Sequence, residues 1–96
     1  MMIVVAYDVN TETLEGRRRL RKVAKICMKY GQRVQNSVFE CLVNSSDYLI
    51  LKHALMEVID DVHDSIRYYN LGLNYSSRIE YRGKQSHLPI DEVMML

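Results

Sequence analysis

Asp8 is the residue of this sequence best placed for chemistry. It directly follows an unbroken apolar run from Met2 to Tyr7, which predicts a short strand that ends at the carboxylate. One carboxylate does not make a magnesium site, because Mg²⁺ requires octahedral oxygen coordination. Two Asp8 side chains from two copies of the chain, with waters and a substrate phosphate, could complete such a site and support phosphodiester cleavage. The alternative is structural, in which Asp8 caps the first helix or pairs with one of its arginines.

A run of cations in the predicted first helix is the second candidate site. Asn10, Thr11 and Thr13 can cap this helix, which is expected to reach about Tyr30 before Gly31 stops it. Its basic residues have no acidic residue among them: Arg17, Arg18, Arg19, Arg21, Lys22, Lys25 and Lys29. A face of one sign indicates an anion-binding surface, with nucleic-acid phosphate as the expected partner. An ordinary solvated helix face is the alternative.

The other polar residues carry weaker signals. Ser37 has no histidine at a spacing that would make it a nucleophile, and the sequence has no glycine-rich phosphate loop. An acidic group after the second helix is interpreted as a solvated exit loop, since its spacing fits no cation-binding loop: Asp60, Asp61, His63 and Asp64. No role is assigned to the three histidines, His53, His63 and His87.

Composition is that of one ordinary globular domain. The 96 residues are 48% hydrophobic and 26% charged, with a net charge of +1 that does not by itself indicate a nucleic-acid binder. Cys27 and Cys41 form no C-x-x-C pair, so they are predicted to be buried free thiols of a reducing compartment. No apolar run approaches the ~20 residues of a membrane span. With no signal-peptide pattern either, we expect a cytoplasmic protein without membrane contact.

The elements that position these residues follow from apolar periodicity. Residues 33–43 predict two short strands joined by a turn at 36–37, and residues 44–59 predict a capped second helix. Residues 65–71 predict another strand, and residues 78–82 predict a last edge strand. The predicted core stripes are Leu20, Val23, Ala24, Cys27 and Met28 in the first helix and Tyr48, Leu51, Leu55, Val58 and Ile59 in the second.

This order of elements predicts an α+β, ferredoxin-like βαββαβ sandwich with an additional C-terminal strand. Its domain spans residues 1–82, and the tail, residues 83–96, ends in apolar residues that should dock on this protein or on a partner. The first strand is apolar on both faces, yet the two helices cover only one. We therefore expect a homodimer with sheet facing sheet, in which the two Asp8 side chains could approach each other.

Three features together resemble the CRISPR-associated Cas-two family of nucleases. They are Tyr7-Asp8 at the end of the first strand, the arginine-rich first helix, and the motif R-V-Q-x-S-V-F-E from Arg33 to Glu40. The resemblance covers the chain from its start to about Tyr81, including length and element order, and leaves out the tail.

The resemblance implies a ferredoxin-like homodimer in which Asp8 holds Mg²⁺ or Mn²⁺ at the dimer interface. It places Tyr7, Arg33, Phe39 and either Arg17 or Arg19 near this site. Members of the family have been assigned metal-dependent cleavage of RNA or of double-stranded DNA. Their dimer also bridges the CRISPR-associated integrase and holds DNA during spacer acquisition, and the tail would dock on the partner subunit or the integrase. Two functions therefore stay open, a metal-dependent endonuclease and a non-catalytic DNA-holding adaptor.

Overall fold

The fold is a four-stranded antiparallel sheet packed against two helices. The computed structural model describes residues 1–84. Its elements are β1 (Met2–Asp8), α1 (Leu14–Cys27), β2 (Gly31–Gln35), β3 (Val38–Leu42), α2 (Ser45–Met56), β4 (Ser65–Gly72) and a 3₁₀ turn (Tyr75–Arg78). The strand order is β2-β3-β1-β4, with antiparallel pairing throughout. The predicted ferredoxin-like α+β fold is confirmed.

The two faces of the sheet are covered differently. The face that packs against α1 and α2, called here the helix face, includes Ile3, Val5 and Tyr7 of β1, which are 0%, 0% and 2% exposed. On the opposite side, called here the helix-free face, Val4 and Ala6 are only half-buried. β1 is thus the central strand that its apolar run predicted, and its helix-free face is the side that a second sheet would cover.

Helix α1 ends earlier than predicted. Thr13 caps its N-terminus, with Oγ1 accepting a hydrogen bond from the Gly16 N–H at 3.0 Å. The helix closes at Cys27 instead of about Tyr30, because the chain then turns directly into β2. Gly31 is the first residue of β2, and a Cβ there would lie 1.8 Å from the Glu40 carbonyl oxygen. This glycine therefore permits close approach of β3 and does not serve as the helix stop.

The predicted core is confirmed except at one position. The core stripe of α1 is buried apart from Met28, which is 55% exposed and was wrongly assigned to it. Cys27 and Cys41 are both buried and free, as predicted, and the Cys41 thiol donates to the Cys27 carbonyl oxygen at 3.6 Å. The hydrogen bond to Cys41, together with burial, raises the pKa of the Cys27 thiol. The Cys27 thiol is therefore a neutral packing group.

Helix α2 is capped by Asn44, whose Oδ1 accepts from the Asp47 N–H at 2.8 Å. It ends at Met56, three residues before the predicted end near Ile59. The Val58 and Ile59 amides both donate to the Leu55 carbonyl oxygen, at 3.0 and 3.1 Å, so the chain leaves the helix through a turn. Both side chains still pack against the core, as the predicted stripe required.

The predicted last strand is the clearest error. Residues 75–78 form the 3₁₀ turn, and residues 79–84 belong to no strand within the described range. Gly72 adopts a φ of +73° and turns the chain away at the end of β4. Ile79 is extended, but extended backbone becomes a strand only when a neighbouring edge pairs with it. The predicted docking of the tail concerns mainly residues that lie outside the described range. His87 also lies outside that range.

Candidate active site and basic surface

Asp8 lies at the carboxyl end of the central strand and faces the helix-free side. Its side chain is exposed, and within residues 1–84 its carboxylate has no hydrogen bond or ion pair. Both structural alternatives for Asp8 are wrong, because Thr13 caps α1 and no arginine of α1 pairs with Asp8 within residues 1–84. An exposed carboxylate without a partner is available to bind a cation.

A buried network lies directly beneath Asp8, on the helix face. The Asp64 carboxylate accepts from Arg19 Nε at 2.8 Å, from Arg19 Nη2 at 3.0 Å and from the Asp60 N–H at 3.0 Å. The Tyr7 hydroxyl also donates to it. The Asp64 side chain is 0% exposed. Its interpretation as part of a solvated exit loop is therefore wrong, and this residue is the main one that the sequence analysis missed.

The charges in this network are fixed at neutral pH. Burial alone raises the pKa of Asp64, but the hydrogen bonds from Arg19 and Tyr7 outweigh it and hold that pKa below its usual value. Burial, with the hydrogen bond to Asp64, raises the pKa of Tyr7 to about 12. Asp64 is thus an ionised acceptor and Tyr7 a neutral donor.

The rest of the acidic group after α2 also has internal partners. Asp60 Oδ1 accepts from the Val62 N–H at 2.9 Å, and Asp60 Oδ2 lies 2.9 Å from His63 Nδ1. The hydrogen bond with His63 is the main reason that the pKa of Asp60 is lowered. Across the described part of the chain, no three His, Cys, Asp or Glu side chains come close enough together to hold a metal ion.

The sheet separates the predicted site residues. Tyr7, Arg33 and Phe39 belong to the helix face, while Asp8 faces the other way. Phe39 is 0% exposed, and the Arg33 guanidinium lies 5.5 Å above its ring. Arg33 Nε also donates to the Asn36 carbonyl oxygen at 2.8 Å. Phe39 and Tyr7 are therefore buried on the side of the sheet opposite to Asp8 of the same chain.

Strand β4 supplies the neighbours that Asp8 does have. Ser65 is its register partner, and Arg67 and Tyr69 pair with Ala6 and Val4 on the same face. The Arg67 guanidinium donates a hydrogen bond to the Tyr69 hydroxyl oxygen at 3.4 Å. In residues 65–71, every second side chain lies on the same face of the sheet. Once β4 is known to pair with β1, this alternation is enough to place Ser65, Arg67 and Tyr69 on the face of Asp8.

The basic surface of α1 is largely as predicted, with one change. Arg19 points inward to Asp64, so it does not belong to the surface. The exposed members are Arg17, Arg18, Arg21, Lys22, Lys25 and, just after the helix, Lys29. Arg21, Lys25 and Lys29 face Arg33 across an open groove of about 500 Å³ between α1 and β2. A second groove of about 330 Å³ shares Arg21 and Arg33 and continues past Arg17 toward the start of the helix.

The fold and these two regions define a class. The protein is a small ferredoxin-like domain with a row of cations on one helix. At the end of its central strand it has a carboxylate without a partner in the described part of the chain. Among the described residues, no helix is long and apolar enough to cross a membrane.

The sequence profile described as CRISPR associated protein Cas2 matches residues 1–79, so the chain belongs to that family. It is 45% identical over 95 residues to the "CRISPR-associated endonuclease Cas2" of Halalkalibacterium halodurans, covering 99% of each chain. It is 46% identical over 96 residues to the "CRISPR-associated endoribonuclease Cas2" of Chlorobaculum tepidum, covering 100% of both. The crystal structure of Streptococcus pyogenes Cas2 superposes with a TM-score of 0.82 at 58% identity, covering 86% of this chain and 100% of that one.

Proposed function

We propose that this protein is a metal-dependent endonuclease of the CRISPR system that works as a homodimer. In this proposal the Asp8 side chains of two chains together hold Mg²⁺ or Mn²⁺, and the ion assists hydrolysis of a phosphodiester bond. The related proteins named endonuclease and endoribonuclease support cleavage of nucleic acid as the activity.

The observation that carries the proposal is the state of Asp8. It is exposed, it ends the central strand, and it has no partner among the described residues. A lone carboxylate is too weak a ligand set for Mg²⁺, so the site needs a second chain. The half-buried Val4 and Ala6 on the same face favour contact with another apolar surface.

The residues present fit a shared ion, and their roles follow from charge. The two Asp8 carboxylates would supply the negative charge that holds it, and a bound ion would supply activated water and stabilise developing phosphoryl charge. Arg67 is a cation on the same face that is not neutralised by Asp8, so it is available to attract substrate phosphate. Because Asp64 and Arg19 are paired with each other, they add little to the electrostatic field at Asp8.

Replacement of Asp8 by asparagine tests the proposal. Asp8→Asn keeps the size of the side chain and removes the charge that holds the metal. Cleavage should fall at least about a hundredfold, because metal-assisted charge stabilisation contributes several kcal/mol and each 1.36 kcal/mol is tenfold in rate. The assay should use single-stranded RNA and duplex DNA, with Mg²⁺, with Mn²⁺ and with chelator. Equal cleavage by wild type and Asp8→Asn would show that Asp8 is not the ligand.

A second candidate function is a DNA-holding adaptor that bridges the CRISPR-associated integrase. The observation that favours it is the position of the basic surface, which lies on the helix face, whereas Asp8 lies on the helix-free face. Nucleic acid held by α1 therefore does not cover the Asp8 of the same chain. If wild type cuts no substrate with any divalent ion but binds duplex DNA, the adaptor function is correct. Removal of residues 83–96 should then weaken assembly with the integrase.

A further inference from the structure

We propose that Asp64 is a positioning residue for Asp8 and acts through Tyr7 and Arg19; the inference rests on the proposed role of Asp8 in metal binding. Tyr7 directly precedes Asp8, and Asp64 directly precedes Ser65. Asp8 and Ser65 are register partners at the end of the β1–β4 ladder. The bond between Tyr7 and Asp64 therefore ties the two strands together on the helix face at the level where Asp8 faces the other side.

The contacts of Asp64 show why it can fix this end of the sheet. Its carboxylate accepts four hydrogen bonds, two of them from one Arg19 guanidinium. The donors come from β1, from α1 and from the turn that leads into β4, so one buried side chain joins three segments. Two parallel bonds from a planar guanidinium fix orientation as well as distance.

Asp8 needs such support because it is the last residue of its strand and its side chain has no partner among the described residues. The Tyr7 N–H donates to the Ser37 carbonyl oxygen at 2.9 Å, on the β3 side. By alternation, the Asp8 N–H and C=O are directed toward β4. The place of the carboxylate therefore depends on the part of the β1–β4 ladder that Asp64 holds. Displacement of a catalytic group by about 1 Å can reduce the rate about a hundredfold.

A purely structural role of Asp64 is the competing explanation. In that case, weakening the network would lower the stability of the whole domain and would leave the strand end and the turnover of folded protein unchanged. The variant Tyr7→Phe separates the two explanations, since it removes one hydrogen bond to Asp64 and keeps the packing of the ring. Its matched control is Tyr68→Phe, which removes a hydroxyl from the same face of the neighbouring strand.

Tyr68 is a suitable control for a structural reason. It is half-buried on β4, packs edge-on against the Tyr48 ring at 6.0 Å, and has no hydrogen bond to Asp64. With a substrate that the wild type cleaves, Tyr7→Phe should lower kcat about tenfold or more and change KM less than about twofold, as a positioning defect would. Tyr68→Phe should match wild type in both constants.

Amide hydrogen exchange gives a readout that needs no nuclease activity. In Tyr7→Phe the amides of Asp8 and Ser65 should exchange about tenfold faster, while those of Phe39 and Cys41 keep their protection. Asp64→Asn should accelerate exchange at the same two amides by a larger factor. If Asp64→Asn does not fold, the result for Tyr7→Phe is sufficient to test the positioning role.

The outcomes separate this inference from the proposed function. If the wild type is inactive but Tyr7→Phe loosens only the strand end, the positioning role of Asp64 stands and the nuclease proposal fails. If exchange rises equally throughout the sheet, the network is only structural and the inference is overturned. It is also overturned if an active wild type and Tyr7→Phe show equal kcat, or if kcat falls with no change in exchange at Asp8 and Ser65.

Discussion

The helix face and the helix-free face of the same sheet differ in the burial and pairing of their carboxylates. On the helix face, the Asp64 carboxylate is buried and fully occupied by donors. On the helix-free face, the Asp8 carboxylate is exposed and has no partner within residues 1–84. Two acidic residues at the same end of the β1–β4 ladder therefore have opposite surroundings. Asp64 joins three segments of the fold, whereas the Asp8 side chain makes no such contacts among the described residues.

The same division applies to the cations. Arg19 is neutralised by Asp64 and contributes to the fold, whereas its neighbours on α1 stay in solvent and contribute to the surface potential. A single turn of helix thus serves both purposes, because residues one position apart point about 100° away from each other. Only the exposed members are expected to govern nucleic-acid binding.

The largest effect is expected from removal of the buried acceptor. Asp64→Ala would leave the Arg19 guanidinium and the Tyr7 hydroxyl without their partner, which should lower the free energy of unfolding by about 3 kcal/mol. Asp8→Ala should change it by less than about 0.5 kcal/mol, as expected for an exposed residue without contacts. Urea denaturation measures both values. Equal losses for the two variants would refute the contrast between the faces.

Acid should reveal the same interaction without mutation. The pKa of Asp64 is lowered in the folded protein, so its ionised form stabilises the fold fully above the unfolded pKa of about 3.9. That contribution is lost as the pH falls through the lower, folded pKa. Wild type should therefore lose stability on acidification more steeply than Asp64→Asn below about pH 4. Parallel curves in urea titrations at several pH values would contradict this.

The next effect concerns contact between chains through the helix-free face. Val4→Lys places a charge beside Glu40, its register partner on β3, so the isolated fold can accept it. If two such faces pack together, the dimer dissociation constant should rise about a hundredfold, or ~2.7 kcal/mol. Val62→Lys is the control, at a residue that is 85% exposed. Sedimentation velocity that finds a wild-type monomer at micromolar concentration would rule out this dimer.

The smallest effect is expected at the basic surface. Reversal of Arg18 and Lys22 to glutamate should weaken duplex binding about tenfold or more on every sequence and reduce its dependence on salt. Lys52→Glu on α2, which lies outside the grooves beside α1, should have little effect. Fluorescence anisotropy at several salt concentrations gives both affinity and slope. Loss on some sequences only would indicate base recognition in place of phosphate contact.

Local sequence patterns were sufficient to predict the four strands and two helices, but they also predicted an edge strand at residues 78–82 that the described part of the chain lacks. The apolar run of β1, the alternation of Phe39 and Cys41, and the caps Thr13 and Asn44 are local patterns, and local patterns survive in the folded chain. Together with the rule that crossover connections are right-handed, they were enough to predict the ferredoxin-like arrangement. The errors at the ends of α1 and α2 arose where tight turns, which leave no periodic signal, replaced the last helical residues.

The residues that surround Asp8 could be identified only from the folded chain. Asp64 finds Arg19 and Tyr7 across 45 and 57 positions of the chain, so no spacing in the sequence could indicate the network. Tyr7 directly precedes Asp8, and the family resemblance predicted that Phe39 lies near the same site, yet the sheet places both side chains on its other side. Residue type determines the chemistry that a side chain can perform. The pairing of distant strands determines the face of the sheet on which that side chain lies.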